Sequence, residues 1–236
     1  ILWGGGLWKW LDPLTAIHAV ARIWQQRQDV RLIFPGTERP SPQMEDVPTH
    51  TQYARGLADS LGLLGKAVFF GDWIPYADWP GVLHESDVAL ALHHDTLEAR
   101  LAYRSRVIDY IWAGLPTVAT RGDAISDLVA ACDLGIVVDY ESVEDVAAAI
   151  LCLLDASHAT YESRFAEVRR TLTWKRASEP LVRFCRDPKK APDKGMRLGN
   201  PFYLRQQEQL AEERDHWRDR VHQYQQGRFI RLMRML

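Results

Sequence analysis

Apolar residues along the first 155 positions follow two alternating patterns. Short continuous runs, "VRLIF", "KAVFF", "DVALAL", "PTVAT" and "GIVVDY", are bounded by Gly, Pro or charged residues. They lack polar alternation, as strands buried on both faces do. Between them apolar positions recur every three or four residues. That spacing predicts helices at "DPLTAIHAVARIWQQRQ", residues 49–63 and 75–86, "RVIDYIWAG", "DAISDLVAACD" and "SVEDVAAAILCLLD". A strand follows a helix roughly every 25 residues, which predicts an α/β fold: a Rossmann-like, doubly wound parallel sheet. Asp12 is placed to cap the first helix, with Pro13 at its first position. "DTLEARLAY" (95–103) reads as a loop leading into the helix that Gly114-Leu-Pro116 ends.

Beyond this unit, helices are expected near 158–173 and 176–186, then a basic linker, "RDPKKAPDKG". A long helix follows, capped by Asn200, with Phe202, Leu210, Trp217, Val221 and Tyr224 at roughly heptad spacing. The expected domains are 1–187, a linker at 188–199, and an amphipathic, partly basic C-terminal helix at 200–236.

Composition narrows the class. Apolar residues at 47% and charged residues at 25% fit a globular protein, and no apolar run reaches the ~18 residues of a membrane span. Cys132, Cys152 and Cys185 are too scattered for a disulfide framework or a CxxC metal site, and a reducing cytoplasm is the simplest setting. The opening "ILWGGG", without an initiator Met, reads as a fragment cut inside a first strand. The net charge of −2 splits into +6 from Arg183 to Leu236 and −8 over the rest. Such a basic tail suits an anionic membrane surface or a partner helix; a solvated helix accounts for it equally. Nothing points to nucleic acid.

The candidate chemistry lies at predicted carboxyl ends of strands. Gly4-Gly5-Gly6 follow the first strand, where exposed amides can cradle an anion, and Lys9 could add a point charge. Neither GxGxxG nor GxxxxGK[ST] is present. His93 and His94 end a strand, with Glu98 beyond them. Arg104 and Arg106 stand at the start of a helix, where cations oppose the macrodipole; a bound diphosphate would remove that conflict. Asp109, one turn on, could accept from ribose hydroxyls. An internal Arg106–Asp109 ion pair explains the same residues equally well. No Asp-x-Asp or third ligand beside the histidines suggests a metal.

Several of these segments, in order, resemble the C-terminal, donor-binding half of GT-B glycosyltransferases, family 4 (glycosyl transferases group 1). "GGGLWKWLDPLTAIHAV" is similar to that family's glycine loop and first helix, and "VRLIFPG" to its second strand. "VFFGDWIPYADWPGVLHESDVAL" resembles the F-x-G segment through the next strand, and "RVIDYIWAGLPTVATRGD" the E-A-M-A-x-G-x-P-V-V unit. The resemblance implies that Asp109 binds the donor ribose, that Arg106, Lys9, Gly5 and Gly6 hold the diphosphate, and that Trp73 lies by the base. Glu98 would meet the donor sugar, although ten residues separate it from Asp109 where the family has seven.

The implied activity is retaining transfer of a sugar, hexosyl-like, from a nucleotide diphosphate sugar to an acceptor hydroxyl in polysaccharide or glycolipid synthesis. No cofactor or metal is expected, Arg106 and Glu98 are the implied catalytic groups, and the acceptor domain would precede residue 1. The setting would be cytoplasmic, at the inner membrane face if the tail engages lipid. Two alternatives remain: a degenerate donor domain serving as a non-catalytic assembly module, and a nucleotide-sugar epimerase of GT-B fold.

Overall fold

The computed structural model describes residues 1–38, 47–157, 159–190 and 210–220. The chain divides into two compact units, Ile1–Ala177 and Ser178–Leu236.

The first unit is built on six parallel strands: β1 (Leu2–Trp3), β2 (Leu32–Glu38), β3 (Val68–Asp72), β4 (Ala89–Ala91), β5 (Thr117–Thr120) and β6 (Gly135–Val138). Their order across the sheet is β3-β2-β1-β4-β5-β6. Every pairing is parallel, with Leu2 opposite both Ile33 and Ala89. This is the doubly wound, Rossmann-like α/β arrangement that the alternation predicts. The order reverses between β1 and β4, so a crevice opens there at the carboxyl ends.

Successive side chains of the central strands enter different cores. Trp3, Phe34, Leu90 and Val118 join one apolar cluster under α1 (Pro13–Trp24), α2 (Val47–Ser60) and α7 (Val143–Asp155). Leu2, Ala89, Ala91 and Ala119 join the other, under α3 (Trp79–His84), α5 (Arg106–Ala113), α6 (Ala124–Ala131) and α8 (Ala159–Thr171). Burial on both faces is why β4 and β5 read as unbroken apolar runs, whereas Ile33 of β2 and Phe69 of β3 are exposed although the same pattern predicts them buried.

Local signals act as expected. Asp12 accepts from the Thr15 amide at 3.0 Å, with Pro13 in the first turn. α5 stops at Gly114, whose φ of 76° is left-handed, and the Leu115 amide donates to the Tyr110 carbonyl at 2.9 Å. Arg169 of α8 reaches the Ile111 carbonyl at 2.9 Å, closing the same helix end.

Two expectations need correction. Residues 97–101 form a short helix, α4 (Leu97–Leu101), rather than loop, because Thr96 caps it by accepting from the Ala99 amide at 3.1 Å. α3 is only six residues long; residues 75–78 precede it as turn, with the Asp78 amide bonded to the Pro75 carbonyl.

The short α9 (Trp174–Ala177) is the last helix within the first unit. The second unit begins with α10 (Glu179–Arg186), and residues 210–220 are also helical. Of the heptad stripe, Leu210 and Trp217 are exposed, while Phe202, Val221 and Tyr224 lie outside the described residues. So do the proposed cap, Asn200, and the terminal Arg228, Arg231 and Arg234. Among the described residues no helix is long and apolar enough to cross a membrane.

Candidate functional site

A cleft of about 420 Å³ lies at the carboxyl end of β1, where the strand order reverses. One wall is the turn Gly4–Gly6, another the start of α5 with Arg106 and Asp109, and a third the aromatic residues Trp73, Tyr76 and Trp79.

The glycine turn is fixed from beneath. The Gly4 amide donates to the Tyr110 hydroxyl at 2.9 Å, and that hydroxyl donates to the Leu90 carbonyl at 3.4 Å. A Cβ on Gly4 would collide with the Tyr110 hydroxyl, so only glycine fits. Tyr110 is fully buried, and burial pushes its pKa up to about 12, against the opposing pull of Arg106 and the Gly4 amide. It stays protonated and keeps donating at any physiological pH. Gly5 has φ 100°, a conformation that side chains strain to adopt. A Cβ there would lie 3.5 Å from Arg106 Nη2, so the turn and the guanidinium are direct neighbours.

Arg106 is the unusual group. Its Nη1 is buried without a hydrogen-bond partner. Burial lowers its pKa, the Tyr110 side chain opposing and Arg104 adding to the effect; a guanidinium nonetheless keeps its charge. The carbon of that guanidinium lies 6.0 Å from the centre of the Trp3 ring. Among the described residues no carboxylate is paired with it. The intrahelical ion pair with Asp109 is not formed: Asp109 Oδ2 instead accepts from the Trp79 indole N–H at 3.2 Å. Ser105, at the start of α5, makes no side-chain capping bond. A cation with a buried, unpartnered N–H is costly, and here it sits beside the Gly5 backbone in the cleft. The arrangement is suited to an anion.

Gly5, Gly6, Trp73, Arg106 and Asp109 are thus brought together, whereas Lys9 and Glu98 do not line the cleft. Lys9 is exposed in a turn between Trp8 and Trp10, whose rings stack 5.3 Å apart. Glu98, carried by α4, grips Arg104 with both oxygens, at 3.2 and 2.9 Å. Arg104 is buried and its Nε lies 3.6 Å from Asp123 Oδ2. His93 is buried too: its amide donates to Thr120 Oγ1 at 3.2 Å, and its Nε2 lies 3.5 Å from the same Asp123 oxygen. His94 instead meets Glu141 at 2.7 Å. These residues tie together the loops after β4, β5 and β6.

Asp123 also caps α6, accepting from the Ser126 amide at 2.6 Å. Burial raises its pKa, but bonds from His93 and from the Ser126 amide and hydroxyl outweigh this and hold it below the ordinary 3.8. A depressed carboxylate pKa contributes stability that is fully present above the unfolded-state value and lost as pH falls through the folded one. Asp123→Asn is therefore expected to flatten the pH dependence of stability below about pH 4. Denaturant melts at pH 2.5, 4 and 7 check this; an unchanged slope contradicts it.

The sequence reading missed Trp8, Tyr76 and Trp79, and the bond that holds Gly4 from beneath. "DWIPYADWP" held a clue, being dense in aromatic residues just past a strand. Nothing local links Gly4 to Tyr110, 106 positions away.

Residues 1–156 match the family model described as Glycosyl transferases group 1. None of the curated proteins matches the chain by sequence. Among solved structures, it superimposes on WaaG, a glycosyltransferase involved in lipopolysaccharide biosynthesis, with TM-score 0.56 and 18% identity, over 77% of this chain and 45% of that one. Sucrose-phosphate synthase from Thermosynechococcus elongatus gives 0.59 and 20%, over 78% and 44%. HepE from Anabaena, solved in complex with UDP and glucose, gives 0.62 and 16%, over 79% and 47%. At these identities the likeness establishes the fold, and the chain spans less than half the length of each of these structures.

Proposed function

Since this chain belongs to the group 1 glycosyl transferases, we propose that its cleft binds the donor, a nucleotide diphosphate sugar, for retaining transfer to an acceptor hydroxyl. The observation that carries this reading is the buried, unpartnered Nη1 of Arg106 beside the Gly5 backbone. The diphosphate takes Arg106 and the Gly5 and Gly6 amides, the ribose meets Asp109, and the base lies along Trp73. As the sugar departs, negative charge grows on the diphosphate; a positioned guanidinium and amides favour that charge most in the transition state. The leaving phosphate then accepts the acceptor's proton. We assign the acceptor, a growing polysaccharide or glycolipid, to a further domain of the whole protein.

Titration calorimetry of the chain with UDP, GDP and their sugars tests this. Binding of one nucleoside diphosphate is expected; no binding to any removes the reading. One observation favours a second reading, a non-catalytic assembly module: Glu98 is taken by Arg104 and Lys9 stands off the cleft, leaving the sugar end without an assigned acid or cation. Absence of nucleotide binding would support it.

We assign the basic C-terminal segment, residues 200–236, to an anionic membrane surface on the cytoplasmic side, a partner helix being the alternative. Flotation with liposomes containing anionic lipid, but not with neutral ones, is expected; failure to float with both removes the assignment.

A further inference from the structure

Asp109 stands at the mouth of the cleft on α5, with its side chain exposed to solvent. An exposed aspartate ordinarily samples several rotamers, so as a reader of a ligand hydroxyl it would lose affinity to its own ordering. Here one oxygen is already taken. Oδ2 accepts from Trp79 Nε1 at 3.2 Å, and among the described residues no other hydrogen bond reaches this carboxylate. Trp79 is itself held: it is the first residue of α3, its ring is half-buried, and it packs on the apolar cluster that contains Val107 and Ile111 of α5. The same indole closes the aromatic wall begun by Trp73 and Tyr76. An indole N–H has one proton and no lone pair to offer, so the contact has one sense: it orients the carboxylate and leaves Oδ1 free to accept.

We propose that Trp79 is a positioning residue for donor recognition: its indole N–H pins Asp109, and the pinned carboxylate reads a single ribose hydroxyl through Oδ1. The inference rests on the nucleotide reading of the cleft and goes beyond it in naming what sets ribose selectivity. A carboxylate free to rotate would serve either the 2′- or the 3′-hydroxyl. A pinned one favours one of them.

The test uses the whole chain, wild type and Trp79→Phe, with the nucleoside diphosphate that binds best and its 2′-deoxy and 3′-deoxy forms, by titration calorimetry. In wild type one deoxy form is expected to bind roughly tenfold more weakly than the ribonucleotide and the other within about twofold, the loss of one hydrogen bond to a charged group. In Trp79→Phe, which keeps the ring packing, the ribonucleotide weakens roughly five- to tenfold and the difference between the two deoxy forms disappears. Selectivity that persists in Trp79→Phe, equal weakening of all three ligands, or wild-type protein indifferent to both hydroxyls overturns the inference while leaving the nucleotide reading intact. Wild-type protein that binds none of the three overturns both.

Discussion

Arg106→Ala is expected to weaken nucleoside diphosphate binding by about 1.5–3 kcal/mol, the usual cost of a lost hydrogen bond to a charged group. That is roughly a 10- to 150-fold rise in Kd. The free protein should move the other way. Its guanidinium carries a buried Nη1 with no partner, and among the described residues no carboxylate compensates the charge. Removing a partly buried cation that no carboxylate compensates relieves a desolvation cost, so thermal stability should hold or rise. Two opposite signs from one substitution separate a ligand-binding arginine from one that supports the fold. Calorimetry with the nucleotide and a thermal melt check both. Unchanged affinity, or a fall in both quantities, contradicts the assignment.

Gly4→Ala is expected to damage fold and site together. The added Cβ meets the Tyr110 hydroxyl, with the ring carbons at 3.0 Å behind it. That ring is fully buried and cannot swing aside. Overpacking of this kind typically costs about 1–3 kcal/mol. Relief by displacing β1 would break the 2.9 Å bond from the Gly4 amide to Tyr110 and carry Gly5 away from Arg106, so diphosphate affinity should fall with stability. Adding Tyr110→Phe removes the closest clash but orphans the amide, so it restores stability only in part. Urea melts of the single and double variants provide the check. A Gly4→Ala protein as stable as wild type would show that the turn is not held from below.

Local rules carried the fold because the central strands lie buried between two helical layers. Continuous apolar runs and caps such as Asp12 and Pro13 then report tertiary position directly. α4 escaped notice because a five-residue helix, held by the Thr96 cap, has too few turns for a periodic signal. The site was legible where one segment carries it: Arg106 and Asp109 share α5, and Gly5 and Gly6 share a turn. It was illegible where partners are remote. Glu98 reads as a free loop carboxylate until the Arg104 guanidinium is seen closing on it. Asp109 reads equally as a ribose acceptor and as a partner for Arg106 until Trp79, thirty positions earlier, is found to hold it. Spacing along a helix shows which pairs can form, while competition from other elements decides which do.

A crystal structure of the chain with UDP or GDP bound, whichever the calorimetry selects, is the most direct measurement. The diphosphate oxygens should lie within hydrogen-bond distance of the Arg106 guanidinium and the Gly5 and Gly6 amides, with the ribose toward Asp109. A nucleotide seated elsewhere, or an Arg106 that stays unpaired with ligand present, would contradict the claim that this buried cation exists to hold the donor's phosphates.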